Sequence, residues 1–166
     1  MKFSATIARF AALAAAAAAL FALTACGAGP VPMKAAEDAN NPACANVTVR
    51  LPDTVGALKK RSTNAQATGA WGDPAVVLLR CGLPVSAPTT QPCVNVNGID
   101  WIVDESKAPN YRFEAYGRDP GLEVLVDSTK TSGTDALLEL GSAISQLPQT
   151  RQCSSVKEST ELRKAP

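Results

Sequence analysis

The stretch that most constrains the fold runs from Asn64 to Gly82, NAQATGAWGDPAVVLLRCG. It contains an uninterrupted apolar run of β-type residues, Ala75 to Leu79, between Gly72-Asp73-Pro74 and Cys81-Gly82. Because Pro fixes φ and Gly adopts backbone angles that other residues avoid, both boundaries end regular structure. The pattern predicts a central strand that is buried on both faces.

The N-terminus has the features of an export signal. Lys2 and Arg9 precede an unbroken apolar run from Ala11 to Leu23, and the run ends in the sequence Leu23-Thr24-Ala25-Cys26. The apolar run is shorter than the roughly 20 residues needed to span a bilayer, which favours a cleaved signal over an anchor. Leu-Thr-Ala-Cys resembles the bacterial lipobox, in which the Cys thiol receives diacylglycerol and becomes the new N-terminus. The sequence therefore predicts lipidation of Cys26; the alternative is an ordinary secretory signal in which Cys26 is incidental.

The charge and the length of the remaining chain limit its possible partners and its number of domains. After the first 25 residues there are 14 basic and 15 acidic residues. This balance argues against nucleic acid as a partner and against a polybasic membrane patch. The length suits one domain, since about 100 to 150 residues is the common domain size.

Four cysteines remain besides Cys26: Cys44, Cys81, Cys93 and Cys153. An even number in an exported chain predicts two disulfides, and four cysteines allow three pairings. We expect Cys81 to pair with Cys93 across a short Pro-rich loop, and Cys44 to pair with Cys153 so that the two ends of the domain meet. A metal site is not expected, because the chain has no His and no C-x-x-C spacing.

The chain divides into four predicted segments. Residues 1–25 form the signal peptide, 26–43 a lipidated flexible tether, 44–153 a single domain, and 154–166 a polar tail. The tether is assigned because Gly, Pro, Ala and Asn dominate Gly27 to Ala43 without an apolar period.

Periodicity within the domain predicts an α+β fold: a mainly antiparallel sheet of about five or six strands, covered by a C-terminal helix and braced by two disulfides. Alternation predicts a first strand over Val47 to Leu51, and Pro52-Asp53 predicts a short helix that ends at Lys59-Lys60-Arg61. Two hairpins are predicted, one through Asn97-Gly98 with Val96 opposite Ile99, and one through Arg118-Asp119-Pro120-Gly121. Thr134 to Leu147 has helical apolar spacing, and Pro148 ends it.

Side chains suited to chemistry are few. Without His, acid–base catalysis would rely on carboxylates, and their spacing singles out no pair. Trp71, Arg80 and Arg118 are the candidate binding residues, because a Trp beside an Arg can bind a sugar face, an aromatic ring or a carboxylate. A packing role for the two Trp residues is the favoured interpretation. Arg80 either pairs with a carboxylate at the end of the sheet or contacts a ligand. No cofactor is predicted.

With the lipobox, the tether and the segments TNAQATGAWGDPAVVLLRCG, VNGIDW and YGRDPGLEV, the chain resembles an uncharacterised actinobacterial lipoprotein family of unknown function. The resemblance extends from about Cys44 to the C-terminal helix, and its W-G-D-P, R-C-G and N-G-I-D-W blocks occur in order. It implies a membrane-anchored extracytoplasmic domain and brings no activity, cofactor or partner.

These features predict a lipoprotein held on the extracytoplasmic face of the cell membrane through Cys26. Its domain is expected to be a non-enzymatic binding module for an envelope protein or a cell-wall glycan. The alternative is an enzyme, or an enzyme accessory, that acts on a wall-related substrate through carboxylates and Arg. The surface around Arg80 and Arg118 separates the two: a concave pocket with converging carboxylates favours the enzyme, and a flat apolar or aromatic patch favours the binding module.

Overall fold

A computed structural model describes residues 29–153 of the chain. The fold is α+β, with one antiparallel sheet of eight strands in the order β1-β2-β3-β4-β8-β7-β6-β5 and two helices. The strands are β1 Thr54–Val55, β2 Leu58–Arg61, β3 Thr68–Trp71, β4 Val77–Leu83, β5 Cys93–Val96, β6 Ile99–Asp104, β7 Asn110–Ala115 and β8 Gly121–Asp127; the helices are α1 Pro42–Thr48 and α2 Gly133–Ile144. The sheet thus has more strands than the five or six predicted.

Strand β4 lies in the middle of the sheet, between β3 and β8. Its burial alternates: Val77, Leu79 and Cys81 are fully buried, whereas Leu78 and Arg80 are half-buried. The prediction of a strand buried on both faces was therefore wrong. The apolar run of this strand resembles that of a parallel sheet, but in this antiparallel sheet one face carries the main core and the other carries charged side chains.

The first two elements were assigned the wrong way round. Where a strand was predicted from Val47, the chain forms helix α1. The side chain of Asn41 accepts a hydrogen bond from the backbone N–H of Ala43, and Pro42 occupies the first helical turn, where its missing N–H costs nothing. Cys44 and Val47 lie three residues apart on one side of the helix, and both are fully buried. The helix cap and the spacing of these buried residues favour a helix more strongly than the alternation of Val47, Val49 and Leu51 favours a strand.

The helix predicted from Pro52 is instead the hairpin of β1 and β2. Val55 lies opposite Leu58, so Gly56 and Ala57 form a two-residue turn. Gly56 has φ +56°, the left-handed conformation that such a turn requires at its first central position. The Lys59 to Arg61 run therefore lies on a strand rather than at the C-terminus of a helix.

The Asn97-Gly98 hairpin has the predicted register. Val96 lies opposite Ile99, Asn95 opposite Asp100, and Val94 opposite Trp101. Asn97 has φ +50° and Gly98 φ +80°, as expected when both turn residues are left-handed. Ile99 and Trp101 are fully buried, but Val94 is 42% exposed because β5 is an edge strand.

The second predicted hairpin is formed by β7 and β8, in which Tyr111 lies opposite Val126 and Phe113 opposite Val124. Since β8 also pairs with β4, this hairpin joins the centre of the sheet to its β6–β5 side.

Helix α2 packs on the sheet. The Ser132 side chain caps its N-terminus by accepting a hydrogen bond from the Asp135 N–H. At its start, Gly133 lies against the ring of Phe113, and further along Gly141 faces Ile99. The helix side chains that enter the core are Ala136, Leu137, Leu140, Ala143 and Ile144.

The disulfides join Cys44 to Cys81 and Cys93 to Cys153, so the predicted pairing was wrong. Cys81 and Cys93 lie on β4 and β5, which are separated by β8, β7 and β6. Four strand spacings of about 4.8 Å place them roughly 19 Å apart, far beyond the ~7 Å that a disulfide can bridge. Cys44 reaches Cys81 because α1 packs over the buried face of β4.

The described part of the predicted tether lies on the domain. The Val31 N–H donates to the Ser62 carbonyl at 2.8 Å, and the Asp38 N–H donates to the Gly82 carbonyl at 3.0 Å. Ala39 is 4% exposed and belongs to the core. The prediction of a flexible tether up to residue 43 was therefore wrong for these residues. The predicted signal peptide, Cys26 and the tail 154–166 lie outside the described residues.

Candidate functional site

Trp71 is a core residue. Its side chain is fully buried, and its indole Nε1 donates to the Pro52 carbonyl at 2.9 Å. That bond holds the segment between α1 and β1 against the sheet and satisfies the indole donor. The structure thus agrees with the packing interpretation of Trp71.

Arg80 is part of an ion-pair network on the sheet face opposite α2. Its Nε lies 2.9 Å and its Nη2 2.6 Å from Glu123 Oε1, the neighbour across β4 and β8. Arg112 bonds the other oxygen of Glu123 through Nε at 2.5 Å and reaches Glu114 Oε2 at 2.9 Å. The Glu123 side chain is 5% exposed. Of the two roles expected for Arg80, pairing with a carboxylate is the one observed, although the pair lies mid-sheet.

The network favours the charged form of the Arg112 guanidinium group. Burial would lower the pKa of Arg112, but hydrogen bonding and the negative charges of Glu123 and Glu114 outweigh burial and raise that pKa. Two cations and two carboxylates compensate one another within this cluster, so the arrangement suits cross-strand bracing of β4, β8 and β7.

Arg118 follows β7 and is buried, with 7% exposure. Its Nη1 donates to the Leu147 carbonyl at 2.9 Å, and its backbone bridges to Gln149, so it ties the end of β7 to the segment after α2. Burial lowers the pKa of Arg118, and the charge of Asp100 opposes that effect. Arg118 and Arg80 share no hydrogen-bond partner among residues 29–153, so the structure does not bring them together as one anion site.

A cleft of the described domain lies beside β2, near one edge of the sheet. Its volume is about 570 Å³, and it is lined by Ala57, Leu58, Lys59, Lys60, Arg61, Ser62, Gly72 and Asp73. Lys59 and Lys60 are exposed, whereas Arg61 is half-buried and pairs with Asp73 at 2.7 Å. We refer to this feature as the β2 cleft. Sequence reasoning missed it because the basic run was assigned to a helix end.

A second cleft lies at the other side of the sheet, next to β5. Its volume is about 280 Å³, and its lining combines the loop before β5 with the segment after α2: Thr89, Thr90, Gln91, Cys93, Ile102, Tyr116, Gln152 and Cys153. The Cys93–Cys153 disulfide fixes the two segments to each other. Arg151 also donates to the Ser86 carbonyl. We refer to this feature as the β5 cleft; its polar lining is neutral, with hydroxyl and amide groups.

A third cleft of about 330 Å³ lies at the start of α2. The rings of Tyr111 and Phe113 lie in its wall with their centroids 6.3 Å apart, and Gly133 and Thr134 close it on the helix side. The alternation of β7 predicts both rings on one face, but no sequence pattern indicates that a cleft remains between these rings and the start of α2.

Residues 29–153 were also compared with the requirements for a membrane-spanning helix and for a metal site. Neither of the helices there is long and apolar enough to cross a membrane. Within the same range, no cluster of three or more His, Cys, Asp or Glu side chains has an arrangement that could hold a metal ion.

A comparison with protein-family models matches residues 5–152 to the family described as Protein of unknown function (DUF3515). The chain belongs to the DUF3515 family. The match covers most of the sequence, including the whole sheet and both helices, so the expectation of an uncharacterised family is confirmed. Searches of curated proteins and of solved structures found no match to the chain.

Proposed function

We propose that this protein is a lipoprotein of the cell envelope, anchored on the extracytoplasmic face of the membrane, whose domain is a non-enzymatic binding module. The observation that carries the proposal is the pairing of four of the five cysteines in two disulfides. Disulfides persist outside the reducing cytosol, so the pairing supports export. The fifth cysteine, Cys26, is the one that ends the Leu-Thr-Ala-Cys sequence.

Lipidation of Cys26 is tested by the mass of the N-terminal peptide of the membrane form. We expect a peptide that begins at Cys26 and carries diacylglycerol. Cys26→Ala should leave the chain uncleaved or release it from the membrane, and Ala28→Ser, two residues further on, should behave as the wild type. A wild-type membrane form without diacylglycerol would refute the assignment.

The β5 cleft supports the binding part of the proposal. Gln91, Gln152 and the two Thr residues offer neutral donors and acceptors in a concave surface that a disulfide holds in shape. Groups of this kind suit the hydroxyls of a glycan or the backbone of a peptide, and both occur in envelope components.

The enzyme alternative receives less support. Glu123 pairs with Arg80 and Arg112, and Glu114 pairs with Arg112, so both carboxylates of this network are engaged by guanidinium groups on the sheet face. A general acid or base must reach a substrate proton, whereas Glu123 is buried beneath its two partners.

Site-specific crosslinking in intact cells tests the binding module. A photo-crosslinker at Gln152, which lines the β5 cleft and is exposed, should capture a defined protein or a glycan-bearing fragment. The same group at Val49, which is 77% exposed at the end of α1, serves as the matched control. Equal capture from both positions, or none from Gln152, would contradict a partner at the β5 cleft.

A further inference from the structure

The start of the described chain is held beside the β2 cleft. Arg61 Nη2 donates to the Gly29 carbonyl at 2.8 Å, and the Val31 N–H donates to the Ser62 carbonyl at 2.8 Å. The Asn64 side chain then accepts from the Met33 N–H at 2.8 Å. Three successive contacts therefore fix where residue 29 lies relative to β2.

Covalent geometry limits how far Cys26 can be from this point. Gly29 is the third residue after Cys26, and a fully extended chain covers at most about 11 Å over three residue steps. A diacylglycerol on Cys26 would be inserted in the membrane, so Gly29 would lie within about 11 Å of the lipid headgroups. That distance is close to the Debye length of roughly 8 to 10 Å at physiological salt. Charges near Gly29 would therefore act on the membrane surface.

The charges near Gly29 are basic. Lys59 and Lys60 are exposed on the cleft, and Arg61 contacts Gly29 directly. The one carboxylate in the lining, Asp73, is paired with Arg61, which leaves the two Lys charges uncompensated within the cleft. The side chains of Lys59 and Lys60 point to opposite faces of β2, and Lys60 Nζ donates to the Leu51 carbonyl at 3.3 Å. The cleft of about 570 Å³ has room for a phosphate headgroup beside the Lys59 amine.

We propose that the β2 cleft binds the headgroups of anionic phospholipids in the membrane that holds the Cys26 lipid. The inference rests on the proposed function, because the lipid on Cys26 is what brings the cleft to the membrane. Lys59 contacts the phosphate, and Lys60 adds positive charge from the other face of β2 within a Debye length of the membrane. Arg61 positions the start of the chain so that the cleft faces the bilayer. The domain would then be oriented on the membrane and not free to tumble on its anchor.

The test uses the lipidated protein, purified from membranes and reconstituted in vesicles of phosphatidylcholine alone or of phosphatidylcholine with phosphatidylglycerol. The rate at which a water-soluble reagent acetylates each Lys is measured by mass spectrometry of peptides. We expect Lys59 and Lys60 to react about fivefold more slowly in the phosphatidylglycerol vesicles, with the protection lost in high salt. Lys107 and Lys130, both exposed on the β6–β8 side of the sheet, are the internal controls and should react equally in both.

Matched variants provide a second measurement. The protein extracted in mild detergent should retain phosphatidylglycerol, detected by native mass spectrometry, and Lys59→Gln/Lys60→Gln should lose it while Lys107→Gln/Lys130→Gln keeps it. Equal reaction rates in the two vesicle types, or equal protection of all four Lys residues, would overturn the headgroup site. Protection in intact cells without protection in the vesicles would assign the cleft to another anionic envelope component and equally overturn it.

The two proposals fail in distinguishable ways. The same purified sample gives the mass of the N-terminal peptide, so a missing diacylglycerol is seen before any vesicle is made and removes both proposals together. Diacylglycerol on Cys26 with unprotected Lys59 and Lys60 removes only the headgroup site.

Discussion

Glu123 gives the sharpest test of how the sheet is held together. Glu123→Gln keeps the size of the side chain but removes the charge that both Arg80 and Arg112 contact. The two guanidinium groups would then face each other across a neutral amide. The variant therefore measures the cost of orphaned charge without creating a cavity.

The burial of Glu123 determines how much free energy of unfolding the Glu123→Gln variant should lose. Removing one partner of a buried ion pair costs about 3 to 5 kcal/mol. The Glu123 side chain is 5% exposed, but Arg80 is 28% and Arg112 36% exposed, so water can solvate part of each freed charge. Arg112 also keeps its contact with Glu114. We expect Glu123→Gln to lower the free energy of unfolding by about 2 kcal/mol.

Urea unfolding of the disulfide-intact protein measures this change. Glu105→Gln, at an exposed position after β6, is the control and should stay within about 0.5 kcal/mol of the wild type. The paired change Arg80→Leu/Glu123→Leu removes both charges and leaves Arg112 with Glu114, so it should cost less than Glu123→Gln. If Glu123→Gln changed the free energy of unfolding no more than Glu105→Gln does, the network would stabilise the fold only as weakly as a surface ion pair. That result would refute the inference from burial.

Two further predictions concern the covering of β4. Non-reducing peptide mapping should find Cys44 joined to Cys81, and a peptide that joins Cys81 to any other cysteine would contradict the packing of α1 on β4. Gly82→Ala should destabilise the domain by about 3 kcal/mol or more, because Gly82 has φ +99° and an added Cβ would lie 2.5 Å from the Asp38 carbonyl carbon. An unchanged urea midpoint for Gly82→Ala would show that residues near Asp38 do not lie on β4.

The two later hairpins could be predicted because local sequence determines them. Asn97-Gly98 adopts the left-handed conformation at both turn positions, and the alternation on each side then leaves one register that buries Ile99 and Trp101. Turn chemistry and apolar pattern operate over a few residues, so no knowledge of the tertiary structure was needed.

The beginning of the domain could not be predicted in the same way. Val47, Val49 and Leu51 alternate as in a strand, yet Val49 is 77% exposed and only Val47 and Leu51 are buried. The helix depends on its cap at Asn41 and on the contact of Cys44 with a strand 37 residues away. Tertiary contacts of this kind override a short alternating pattern.

Strand order explains the wrong disulfides and the missed partner of Arg80. Strand β8 lies between β4 and β7, so β4 and β5 are consecutive along the chain but four strands apart in the sheet. The same insertion brings Glu123 opposite Arg80 across a separation of 43 residues. Sequence spacing favoured the nearest cysteine as the partner of Cys81 and singled out no carboxylate for Arg80, because neither spacing shows that β8 is added beside β4.

The β2 cleft and the β5 cleft lie near opposite edges of the sheet. Six strand spacings separate β2 from β5 in the sheet, which at about 4.8 Å each is roughly 29 Å. If the β2 cleft lies on the headgroups, the β5 cleft lies away from the membrane by up to that distance, on the side open to the rest of the envelope. Neutral hydrogen-bonding groups then line the cleft that lies where the field of an anionic membrane is screened, and Lys59 and Lys60 line the cleft that lies where this field is strong. Because the two clefts are separate, replacing Lys59 and Lys60 by Gln should weaken the orientation of the domain on the membrane. The same change should leave partner binding at the β5 cleft intact. Crosslinks from Gln152 should therefore persist in that variant with the same partner, and their loss would show that the two edges do not act separately.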